Sequence, residues 1–75
     1  MDKDELARIL QIVGANIRAE RARANLKQIE VAERAGMALA QYARIERGET
    51  NSALTLYAQI AQALDVPLSV LTDRV

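Results

Sequence analysis

The stretch from Leu26 to Glu49, LKQIEVAERAGMALAQYARIERGE, constrains this chain more than any other part of it. Ile29, Ala32 and Ala35, with Val31 beside them, recur at helical spacing and stop at Gly36, where a glycine admits the left-handed conformation that closes a helix. A second run over about 39–46 stops at Arg47-Gly48 for the same reason. Two helices of about eight residues are too short to stand alone in water, so each must bury a face against the rest of the chain.

The rest of the sequence supplies those partners. Leu6, Ile9, Leu10, Val13 and Ile17 lie three or four apart, which predicts a first helix from about Asp4 to Ala22; Gly14 interrupts its composition but not its period. A fourth helix is expected from near Ser52, turning Leu56, Tyr57, Ile60, Ala61 and Leu64 inward, before Asp65-Val66 turns the chain. Pro67 suits the first turn of a short fifth helix over about 67–72, with Leu68, Val70 and Leu71 as its apolar residues. Fourteen alanines and twenty Leu, Ile or Val residues suit close helix packing. The expected fold is all-α: one compact five-helix domain over 1–75, with an N-terminal helical extension over about 4–13 and no repeat or linker.

Composition removes several functions. The chain has no cysteine and no histidine, so disulfides, thiol chemistry, the usual zinc sites and serine–histidine catalysis are excluded. No cofactor, metal or small-molecule ligand is suggested, and an enzyme would have only carboxylates, lysines and tyrosines to work with. Ten basic residues balance ten acidic ones, without the basic excess usual in nucleic-acid binders. The distribution is uneven, however: Arg18, Arg21, Arg23 and Lys27 face the single Glu20, while Asp2, Asp4 and Glu5 make the N-terminus acidic. That start is unlike a signal peptide, and no apolar run approaches the roughly 20 residues of a membrane span. A soluble, cytoplasmic protein with no membrane partner is expected.

Two short helices about a glycine turn have the proportions of a helix-turn-helix over about 28–46, whose second helix enters a DNA major groove. Here the sequence resembles the lambda-repressor-like helix-turn-helix domains of the Xre/Cro type. The resemblance rests on Gln28, Val31, Ala32, Ala35, Gly36, Met37, Tyr42, Ile45, Glu46, Arg47 and Gly48, without a gap. It extends upstream through Gly14, Ile17, Arg18 and Arg21, and downstream through Leu54, Ile60, Ala61, Leu64 and Val66.

The resemblance implies a sequence-specific regulator of transcription, a repressor, activator or controller, that binds double-stranded DNA as a homodimer on a pseudo-palindromic operator. It implies a partly buried ion pair between Arg21 and Glu46, the alternative being two solvated charges. Gln28 would hold a phosphate or steady a neighbouring side chain. Lys27 stands where the family usually has a Ser or Thr cap, trading stability for reach to phosphate. Asn51 completes the backbone-facing set, and Arg47 is a further expected DNA contact.

Ala38, Leu39, Ala40, Gln41, Ala43 and Arg44 would meet base edges. Of these only Gln41 and Arg44 can hydrogen-bond, to adenine and guanine in turn, while the apolar residues can touch only the thymine methyl or sugar. Alanine is also the best helix former, so small residues on this face need no further reason. Leu68, Leu71 and Val75 are the expected dimer contacts. A neutral chain with an alanine-rich third helix also fits a protein-interaction module that has lost DNA contact. A response of binding to salt separates the two, because phosphate contacts release counterions.

Overall fold

A leucine, isoleucine or valine every third or fourth residue needs a facing helix, and five helices provide the faces in the computed structural model, which describes Met1 to Val75. They are α1 (Lys3–Arg23), α2 (Gln28–Ala35), α3 (Leu39–Glu46), α4 (Leu54–Ala63) and α5 (Leu68–Leu71), with no strand. Asp2 caps α1 by accepting from the Glu5 N–H at 2.8 Å. Gly36 closes α2 at φ 72°, in the left-handed region. Ile17, Val31, Ala32, Tyr42, Ile60 and Leu71 are fully buried, so every helix contributes to one core. α2 packs on both α3 and α4, while α1 crosses α3 and α5.

Four sequence expectations change. α4 starts at Leu54 and not near Ser52. The Tyr57 hydroxyl accepts from the Ser52 N–H and donates to the Thr50 carbonyl, both at 3.4 Å, which holds the preceding loop out of helical geometry. Pro67 sits one residue ahead of its expected place, as the extended N-cap of α5. Ile29 is 42% exposed, so the inward stripe of α2 is Val31, Ala32 and Ala35. Leu71, expected on an exposed dimer face, is fully buried, because α5 folds back over α1 and α4 and inserts it into the core.

Candidate nucleic-acid interface

α3 is held from behind by α1. Glu46, in its last turn, is only 1% exposed and accepts from Arg21 through both carboxylate oxygens, Nε at 2.6 Å and Nη2 at 3.1 Å. This two-pronged contact fixes the carboxylate plane as well as its position. The Gln28 amide donates to the same carboxylate at 3.0 Å, tying the first turn of α2 to the last turn of α3. Burial alone would push Glu46 up, but its hydrogen bonds, Arg21's above all, hold it below the usual glutamate range. The Tyr42 hydroxyl is buried beside this cluster without a partner of hydrogen-bonding geometry. Burial, with the Glu46 carboxylate close by, raises that phenol well above its ordinary value and keeps it neutral.

The main chain of α3 is gripped at the same end. Arg18 donates from Nη1 to the Glu46 carbonyl, placing a cation at the negative end of the helix dipole. Gly14 lies one turn away on α1, and a Cβ there would stand 2.4 Å from that carbonyl oxygen. Only glycine lets the two backbones meet so closely. The sequence reading noticed Gly14 but not this role, for which the available signal was its spacing of four from Arg18 on one helix face.

With Tyr42, Ile45 and Glu46 turned inward, the outward face of α3 carries Ala38, Leu39, Ala40 and Arg44, all exposed, with Gln41 and Ala43 half-buried at its edges. Leu39 is 41% exposed at the first position of the helix. Arg44 makes no salt bridge, whereas Arg47 forks onto Glu49 at 2.9 and 3.1 Å. Lys27 is exposed as the N-cap of α2 and provides no acceptor; Glu30 reaches back instead to the Lys27 N–H at 2.8 Å. Half of a capping box is therefore present, and the lysine side chain stays free.

The remaining expected residues lie outside α2 and α3. Asn51, in the loop before α4, lines an apolar groove with Leu6, Leu10 and Leu54. Leu68 packs against the core, and Val75 is 47% exposed at the C-terminus. Sequence reading passed over two tethers to this end: Asn16 donates to the Leu71 and Asp73 carbonyls at 3.0 and 2.8 Å, and Arg8 to the Val75 carbonyl at 3.3 Å.

Comparison with known proteins places this geometry. Residues 17–71 match a family model described as helix-turn-helix. The restriction-modification controller protein C.AhdI from Aeromonas hydrophila superposes with a TM-score of 0.80 at 29% identity, covering 83% of this chain and 94% of that one. The clp gene regulator ClgR from C. glutamicum shares the fold, with a TM-score of 0.80 at 24% identity over 84% of this chain and 82% of its own. No curated protein gives a significant match. No helix is long and apolar enough to cross a membrane.

Proposed function

The chain belongs to the helix-turn-helix family of DNA-binding transcription regulators, and from that premise we propose that it binds a pseudo-palindromic operator as a homodimer, in the cytoplasm, with α3 in the major groove. The observation that carries the reading is the face of α3 opposite the core, where Leu39, Ala40 and Arg44, which makes no salt bridge, stand exposed. Arg44 reads guanine through O6 and N7, and Gln41 reads adenine; Lys27, with Asn51, grips phosphate. Gln28 acts mainly by steadying Glu46, since its amide is already engaged there. Arg47 reaches phosphate only by leaving Glu49.

The likeness to the controller protein C.AhdI supports a regulatory role. One recognition helix reads few base pairs, whereas a two-fold dimer reads two half-sites about 10 base pairs apart or a multiple of that. Zero net charge removes long-range repulsion between copies. Exposed Leu54 and Val75 are the apolar residues from which a copy-to-copy contact can be built, in place of buried Leu71. The deciding measurement is duplex affinity against salt. Arg44→Ala costs about 1–3 kcal/mol at one base pair per half-site, while Lys27→Ala weakens all duplexes alike and lowers the salt slope by about one. A flat salt response favours the protein-interaction module instead, for which the apolar groove beside Leu54 is the supporting feature.

A further inference from the structure

We propose that the first turn of α3 reads the C5-methyl group of pyrimidines, so that cytosine methylated at C5 is accepted in place of thymine while the unmethylated base is discriminated against. This rests on the DNA-binding reading above and names the chemical class of base edge that it selects.

Ala38, Leu39 and Ala40 form the exposed start of the helix, where recognition helices meet base edges, and none has a side-chain donor or acceptor. Leu39 keeps 41% of its surface in water although Tyr42, one turn on, is fully buried. Every base pair lines the major groove with donors and acceptors, and thymine adds the one apolar group, its methyl. An alkyl side chain placed over that methyl removes two apolar surfaces from water. Placed over an unmethylated pyrimidine it covers the ring edge without an apolar partner, so the pair differ in affinity.

5-Methylcytosine carries its methyl on the same ring carbon as thymine. The two differ at position 4, oxygen against amino, and the side chains of Ala38, Leu39 and Ala40 have no donor or acceptor with which to read that difference. The polar half of the code comes from Arg44, four residues after Ala40 and exposed on the same face. A guanine beside a methylated pyrimidine offers both halves together, O6 and N7 to the guanidinium and the methyl to Leu39.

The test uses the full chain and a randomised duplex pool made twice, with cytosine or with 5-methylcytosine throughout. Selected duplexes then receive single replacements, thymine to uracil and 5-methylcytosine to cytosine, with affinity read by fluorescence anisotropy. The two pools are expected to converge on the same positions, with thymine and 5-methylcytosine interchangeable there. Removing one methyl is expected to weaken binding about threefold to fivefold, the worth of one buried methyl. Leu39→Ala, whose fold is checked by circular dichroism, brings that ratio close to one and leaves the salt slope unchanged. Equal affinity for thymine and uracil at every selected position, or a ratio that survives Leu39→Ala, overturns the proposal while leaving DNA binding intact. No enrichment from either pool, with no salt-dependent binding, overturns both.

Discussion

Glu46 is the residue at which three helices are tied together: its carboxylate takes Arg21 from α1 and Gln28 from α2, and its carbonyl takes Arg18. Removing Arg21 leaves a carboxylate that is 1% exposed without its cation, at about 3–5 kcal/mol, whereas Arg21→Met with Glu46→Leu removes both charges. The double variant is expected to be less destabilised than the sum of the singles, and additive unfolding energies in that cycle would show the residues to be independent. The same cluster sets an acid limit. Because the folded-state pKa of Glu46 lies below its ordinary 4.5, its contribution to stability is complete above that value and is lost as pH falls through the folded value. Denaturant melts between pH 6 and pH 2 are expected to lose stability in that lower window in the parent, and to lose less of it in the double variant. Elsewhere, single side chains separate folding from association. Leu71→Asp is expected to unfold the domain, since the residue is fully buried, whereas Leu54→Asp, at 68% exposure, is expected to leave the melt unchanged and shift sedimentation toward the monomer. A monomer-sized parent at high micromolar concentration and on DNA would remove the dimer.

At the scale of elements, two positions trade stability against geometry. Lys27→Ser is expected to stabilise the domain by about 0.5–2 kcal/mol by completing the cap that Glu30 already answers, and to weaken DNA binding by removing a free cation; a thermal melt and a binding isotherm on the same variant check both. Gly14→Ala puts a methyl 2.4 Å from the Glu46 carbonyl, so α1 and α3 must part, at about 1–3 kcal/mol or more. Its melting temperature should fall, although alanine is normally the better helix residue. The long first helix and the glycine ends of α2 and α3 were legible in the sequence, because period and punctuation are local. What was not legible depended on contacts between elements. Ile29 and Val31 stand two apart in a helix of two turns, too short for spacing to say which faces inward. Leu71 lies in a helix of four residues, where no face is defined until α1 and α4 are in place. The start of α4 is set by the Tyr57 hydroxyl reaching back over the loop. Arg21 and Glu46 stand 25 residues apart, and only the family resemblance drew attention to them together.

For the molecule as a whole, 33 × 22 × 19 Å in extent, charge is arranged by pairing and not by excess. Arg8, Arg21, Arg23, Arg47 and Arg74 each make a salt bridge, while Lys27 and Arg44, like Lys3, Arg18 and Arg34, make none. A neutral chain can therefore meet a phosphate backbone through a few free cations beside the outward face of α3. The grip of α1 on the end of α3 bears on the heat of binding as well as on the pose. A recognition helix that still had to be positioned would lose conformational entropy on meeting DNA and add the heat-capacity signature of folding to that of contact. Here Arg18, Arg21 and the close approach at Gly14 hold the backbone of α3 in place beforehand, so the ordering cost that remains falls on the Arg44 and Lys27 side chains. Calorimetry across temperature should then return a heat-capacity change no larger than the contact surface requires, and loosening the grip with Gly14→Ala should make it more negative.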